Sequence, residues 1–314
     1  MDVLTDLLER SRARGAAFSH TTARGEWGVC FPAATGLAVH ALVAGEAHLW
    51  TGGDDAGDQH ALRLLPGDLV LVRGELEHRL ARAPGAACVP LAELIAAGPV
   101  AGSSRHLSAG SPDRPRAAVF FCGAYLFDGD LCDGLLRALP DVLPLRPAAG
   151  SPLRAVAELL AAELTREDPG GQVVLDRLLD VALVHALRDH FATAGEAAPP
   201  WFAAAEDPCV GPALRALHAA PARRWTVAAL AAEANLSRAA FSRRFTELLG
   251  SAPLAYLTEW RMALARERLR DGDARLAALA DDLGYASEFS FAAAFKRRHG
   301  VAPGRWRVQA RAGA

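Results

Sequence analysis

Two short segments of this sequence carry side chains suited to gripping a polyanion. In the first, Ser237 is followed by Arg238, Ala239, Ser242, Arg243, Arg244 and Thr246. In the second, Ser287 is followed by Glu288, Phe289, Ser290, Lys296, Arg297 and Arg298. A guanidinium on a small, polar helix face can bond guanine through two N–H groups in a major groove, and cations beside it can meet phosphates. On that chemistry Arg243 is the base reader of the first segment. Ala239, Ser242 and Thr246 share its face, and Arg238 and Arg244 flank it towards phosphates.

The elements that must position these residues are duplicated. At a constant offset of 50 residues Ser237 matches Ser287, Phe241 matches Phe291, Phe245 matches Phe295, and Gly250, Ala252 and Pro253 match Gly300, Ala302 and Pro303. Tyr256 and Trp306 correspond as aromatics. In the first unit Thr226 can cap a helix with an apolar face of Val227, Leu230, Ala231 and Ala234. The chain breaks at Asn235-Leu236, and Ser237 caps a second helix whose core face is Phe241, Phe245, Leu248 and Leu249. Gly250 stops it. Two short helices joined by a tight turn form a helix-turn-helix unit. The second unit begins at Asp273, turns at Gly284-Tyr285-Ala286, and ends at Gly300. Residues 253–270 read as a spacer helix of about 17 residues, near 26 Å long. Such a spacer suits two recognition helices set about one DNA turn, roughly 34 Å, apart.

Charge agrees with this placement. From Cys209 onward there are 17 Lys and Arg against 9 Asp and Glu, a net +8. The rest of the chain holds 17 against 27, a net −10. A basic third joined to an acidic remainder is expected of a polyanion-binding module fused to a different domain. The five cysteines (Cys30, Cys88, Cys122, Cys132, Cys209) are odd in number and widely spaced, which argues against a disulfide framework or a zinc knuckle. Neither an export signal nor a membrane-spanning stretch is read from the sequence, so a cytoplasmic protein that does not engage membranes is expected.

Before the basic third, residues 15–127 read as short strands separated by turns such as Thr51-Gly52-Gly53-Asp54-Asp55 and Pro66-Gly67-Asp68. A short helix is expected at 91–97. Residues 152–165 and 172–191 read as helices, the second with an apolar stripe of Val173, Leu175, Leu178, Leu179, Ala182, Leu183 and Ala186. That stripe is either internal core or the seam of a homodimer. Residues 196–208 read as the linker.

The stretches at 225–245 (WTVAALAAEANLSRAAFSRRF) and 279–307 (LADDLGYASEFSFAAAFKRRHGVAPGRWR) closely resemble the DNA-binding domain of AraC/XylS-type transcription regulators. The resemblance covers about 100 residues. It implies an all-α domain of seven helices with two helix-turn-helix units, about 226–249 and 274–299, reading successive major-groove faces. One departure stands out. Family members often carry a long polar residue where Ala293 stands. With Ala292, Ala293 and Ala294 the second face is expected to read bases weakly, through Glu288, Ser290 and Phe289, while Lys296, Arg297 and Arg298 meet phosphates. The first unit then specifies sequence and the second adds charge-driven affinity.

The N-terminal half is similar to the cupin-type ligand-binding domain that precedes this DNA-binding domain in one AraC subgroup. The pieces that carry the similarity are Trp27-Gly28, Phe31-Pro32, residues 40–45, residues 66–72, Gly74 and His78. The implied architecture is an α+β multidomain chain. A cupin-like jelly-roll barrel (1–150) comes first, then a helical dimerisation segment (151–195), a linker (196–208) and the DNA-binding domain (209–314). Metal cupins use an HxH pair, a Glu and a later His. Here His40 fits the first position, Leu42 breaks the second, Glu46 fits the carboxylate and His78 the last. These three could form an open site of two histidines and one carboxylate, but the broken pair favours an organic effector and no cofactor. Trp27, His40, Trp50 and His78 are the pocket candidates. The expected partners are double-stranded DNA at promoter half-sites, a small-molecule effector, a second copy of the chain and RNA polymerase. The alternatives are a metal- or redox-sensing regulator of the same architecture, through His40, Glu46, His78 or a thiol such as Cys30, and a metal-dependent cupin enzyme.

Overall fold

The structure is a computed structural model that describes residues 4, 16–33, 36–52, 61–97, 106–125, 136, 138–164, 166, 168–195, 198–272 and 275–312. The expected turn residues Gly53, Asp54 and Asp55, together with Cys132 and Asp273, lie outside the described residues. Two compact units result, divided near residue 197.

The first unit holds eleven strands among its described residues. They are β1 (Ala16–Arg24), β2 (Gly28–Phe31), β3 (Leu37–Gly45), β4 (Ala47–Thr51), β5 (Leu62–Leu64), β6 (Leu69–Arg73), β7 (His78–Ala81), β8 (Val89–Pro90), β9 (His106–Gly110), β10 (Arg116–Tyr125) and β11 (Val142–Leu145). One sheet runs in the order β11-β6-β3-β10-β1-β9 and the other β5-β4-β7-β2-β8. A short helix α1 (Leu91–Ala97) stands where the sequence placed one, followed by α2 (Pro152–Leu164) and α3 (Gly171–Thr193).

Side-chain alternation decides which residues meet between the sheets. In register, Leu42 of β3 faces Phe120 of β10, His40 faces Cys122 and Val70, and Ala38 faces Val72. From the second sheet Leu80 lies opposite Val29 and Leu49, and His78 opposite Phe31. Trp27, Phe31, Leu49, Leu80, Phe120 and Cys122 thus share one buried core. The odd-numbered residues of β3 (Leu37, Val39, Ala41) are buried as well, on the other face of the first sheet. There α2 packs on β3, and the Tyr125 hydroxyl donates to Asp180 of α3. A sheet covered on both sides explains the near-continuous apolar run of β3.

The second unit is helical: α4 (Pro200–Glu206), α5 (Val210–Ala219), α6 (Val227–Glu233), α7 (Arg238–Leu249), α8 (Pro253–Asp271), α9 (Leu276–Asp282), α10 (Glu288–His299) and α11 (Pro303–Ala312). From α5 onward these are the seven helices the resemblance implies. α4 is an addition within the expected linker. Pro200 opens it at a position where a missing N–H carries no penalty, and it packs on α5 and α7.

The duplication is visible in the packing. Phe241, Phe245, Phe291 and Phe295 are all fully buried. Phe245 meets Tyr256 edge-on at 5.7 Å, and Phe295 meets Trp306 the same way at 6.1 Å. The second helix of each unit ends at a left-handed glycine, Gly250 or Gly300. Upstream of the turns, however, the correspondence runs at 49 residues rather than 50. Leu230 and Leu279 are equivalent, as are Ala231 and Ala280. The left-handed residues Asn235 (φ 52°) and Gly284 (φ 74°) are also equivalent. Backbone bonds agree, Leu236 N–H to Ala231 O in one turn and Tyr285 N–H to Ala280 O in the other. One residue is therefore inserted after Gly284, in the second turn.

That turn packs against the loop that precedes the first helix-turn-helix unit. A Cβ on Gly284 would lie 2.1 Å from the carbonyl oxygen of Ala222, in the loop between α5 and α6. Arg261 of α8 donates to Pro221 O and Arg223 O in the same loop, and its guanidinium sits 5.7 Å from the Tyr285 ring centre. Gly284→Ala adds a backbone clash to a left-handed conformation and should lower the unfolding free energy by about 2–4 kcal/mol. Gly250→Ala, with nothing within 4 Å of the new methyl, should lower it by only about 1 kcal/mol. Chemical denaturation of the two variants checks this, and equal losses would refute the close approach as the cause.

Candidate nucleic-acid interface and barrel interior

Each second helix is held by one face and shows the other. Ser237 Oγ accepts from Ala240 N–H to start α7, and burial of Phe241 and Phe245 fixes its rotation. Ala239, Arg243 and Thr246 are consequently exposed, and Ser242 is half-buried. The Arg243 side chain is 74% exposed, with only a loose 3.9 Å pairing to Glu247 one turn on. Arg238 is exposed in the first turn.

Arg244 is placed differently from the expectation that it meets phosphate. Its guanidinium donates to both carboxylate oxygens of Asp207, with Nη2–Oδ2 at 2.6 Å. Asp207 also accepts from the N–H groups of Cys209 and Val210 at the start of α5. Arg244 holds its carboxyl below the usual range against the opposing effect of burial. The pair fastens α7 to the segment before α5, so Arg244 is a structural clamp.

In α10, Phe291, Ala294 and Phe295 face the core, leaving Glu288, Phe289, Ala293, Lys296 and Arg297 exposed. Two residues expected at the interface are committed elsewhere. Ser290 closes a reciprocal cap with Ser287, each side chain serving the other's backbone N–H. Arg298 donates to Glu259 on α8.

This arrangement agrees with what the chain is similar to. The sequence profile of the cupin family matches residues 2–192, and that of a helix-turn-helix domain matches residues 230–309. An AraC-like transcription regulator from Streptomyces antibioticus is 36% identical over 310 residues, 98% of each chain. The chain belongs to the AraC-like transcription regulators. The regulator AlkR of Acinetobacter baylyi is 27% identical over 98% of this chain and 100% of its own. Among solved structures, the DNA-binding domain of AdpA in complex with a target DNA is 34% identical, covering 34% of this chain and 96% of that one, with a TM-score of 0.32. The chain is thus a DNA-binding transcription regulator whose helix-turn-helix domain spans residues 230–309.

Inside the regulator's N-terminal barrel, His40, His78 and Cys122 form one hydrogen-bonded chain. Cys122 Sγ lies 2.8 Å from His40 Nδ1, His40 Nε2 lies 2.8 Å from His78 Nε2, and His78 Nδ1 lies 3.1 Å from Leu76 O. Burial holds both imidazoles neutral. His40 lies well below the ordinary histidine value, and His78 is lowered to about 4. Burial pushes the Cys122 thiol well up, so it keeps its proton. One assignment then satisfies every atom: the thiol donates to His40 Nδ1, His40 Nε2–H donates to His78 Nε2, and His78 Nδ1–H donates to Leu76 O.

The other candidates separate from this chain. Glu46 is at the surface, its carboxylate held by two bonds from Arg63, so the set of His40, Glu46 and His78 is not brought together. The tight β3–β4 bend at Gly45 turns it outward. Among the described residues no group of three His, Cys, Asp or Glu stands ready to hold a metal. Trp50 is buried, but alternation along β4 sets it on the face opposite Leu49, in register with Arg79. Cys30 lies on that same outer face, between Val29 and Phe31. Trp27 is in the core, stacked on Phe120 at 5.1 Å. Sequence reading passed over Cys122, although its place opposite His40 follows from strand alternation once the pairing is known.

The buried histidines make the barrel acid-sensitive. A folded-state value depressed from 6.5 to about 4 means that the unfolded chain binds the proton more readily. The stability this confers is complete above pH 6.5 and is lost as pH falls towards 4, with His40 acting in the same direction. The bond to the Leu76 carbonyl, and after it the charge of Glu77, oppose the shift only partly. The melting temperature of the wild type should fall across that window, and His78→Gln should show a shallower fall.

Proposed function

We propose that this DNA-binding transcription regulator is controlled by a small organic effector in its barrel and acts as a homodimer in the bacterial cytoplasm, at promoter half-sites beside RNA polymerase. The observation that carries the DNA reading is the pair of outward helix faces fixed by the four buried phenylalanines. Effector control is supported by the polar chain of Cys122, His40 and His78 set beside the apolar core between the sheets. The indole N–H of Trp27, buried without a hydrogen-bond partner among the described residues, adds to it. A ligand that competes for these bonds would favour one barrel conformation, which is how a distant DNA-binding affinity can be changed.

Of the two readings of the α3 stripe, internal core is the one its burial supports. Leu175, Leu179, Ala182, Leu183 and Ala186 are buried within the protomer, where α2 packs against α3, so they belong to its own core. Val174 and Val181 are exposed and Leu178 is half-buried; they sit at i, i+7 and i+4 along α3. That face is the one we assign to a second copy. No helix is long and apolar enough to cross a membrane among the described residues.

The two units should differ in what their cations do. Arg243→Ala should relax base preference at one position, by about 1–3 kcal/mol, in binding-site selection. Arg297→Ala should weaken binding evenly across sequences and reduce the salt slope by about 1. Equal relaxation of sequence preference by both substitutions would overturn this division.

A further inference from the structure

The outer face of α10 is not blank. Phe289 is 87% exposed, more than any other large hydrophobic side chain among the described residues. At about 100° per residue Phe289, Ala293 and Lys296 fall within about 60° of one another, directly opposite the buried Phe291, Ala294 and Phe295. The corresponding stripe on α7 is Ala239, Arg243 and Thr246. The long side chain has moved one turn towards the N-terminus, and the middle position has become alanine. Phe289 is the second residue of its helix, and helical side chains lean towards the N-terminus, so the ring projects past the helix start. Residues near the N-terminus of a recognition helix are well placed to reach base edges.

The neighbours leave the ring as the reader. Ser290 is occupied by the cap, Ala293 is too short to reach far, and Glu288 repels phosphate. Lys296 and Arg297, exposed further along the same helix, supply the positive charge that holds this face to a duplex. A phenyl ring carries no donor or acceptor. The base-edge feature it can recognise in a major groove is the 5-methyl group of thymine.

We propose that Phe289 reads a thymine methyl group, so that the half-site of the second unit contains an A·T pair chosen by apolar contact. The inference rests on the DNA-binding reading and changes the role expected for the second unit from added charge to added sequence preference. Phe289 is the base reader of α10, and Lys296 and Arg297 position it.

The test uses the full-length chain and a duplex selected by it from random sequence. Each thymine of the site is replaced in turn by deoxyuridine, which removes only the methyl. One replacement in the second half-site should weaken wild-type binding about 4-fold, the worth of one buried methyl-sized group. Phe289→Ala should bind the thymine and deoxyuridine duplexes equally, and Phe289→Leu should keep part of the difference. Because the ring lies outside the core, neither variant should change the melting temperature. An unaltered methyl effect in Phe289→Ala, or no methyl effect at any position, overturns the proposal and leaves the ring as a protein-contact surface. Failure to select any duplex overturns the DNA-binding reading, and the proposal with it.

Discussion

Burial of the four phenylalanines is the constraint on which the DNA-binding domain depends. Each side chain is large enough that truncation to alanine removes about 3–5 kcal/mol, comparable to much of a domain's net stability. Phe241 and Phe245 therefore fix the rotation of α7, and Phe291 and Phe295 fix that of α10. Once one face of a helix is pinned, the opposite face has no freedom. Arg243 and Phe289 point outward because the phenylalanines point inward.

The same logic sorts the remaining charges. Arg244 and Arg298 look like Arg243 and Arg297 in the sequence, yet the first is tied to Asp207 in the segment before α5 and the second to Glu259 on α8. Asp207 is nearly buried on its side chain, and three donors meet it. It turns one arginine of the pair at 243–244 into a fastening and leaves the other for DNA. In the barrel, neutral histidines and a protonated thiol satisfy one another's hydrogen bonds.

Much of this was legible in the sequence because the duplicated residues are of rare and demanding types. Two phenylalanines four apart, a serine cap and a terminal glycine rarely recur together by chance. The 49-residue offset upstream was hidden because alanine and leucine repeat everywhere in this chain, so a one-residue insertion beside Gly284 leaves no mark. The helix at 200–206 was passed over because its opening prolines read as linker punctuation. Arg244 was misplaced because its partner lies 37 residues away, and nothing local distinguishes a clamped arginine from an exposed one. Trp50 was misplaced for a simpler reason: its neighbour Leu49 points into the core, and alternation along β4 already forbade both from doing so.

The central claim is that two outward helix faces, rigidly joined through α8, enter neighbouring major grooves of one duplex. Interference by methylation of guanine N7, mapped over a site bound by the full-length chain, tests it directly because that atom lies in the major groove. Two clusters of interference centred about 10 base pairs apart on one side of the helix are expected. A single cluster, or no interference at any guanine, would contradict it.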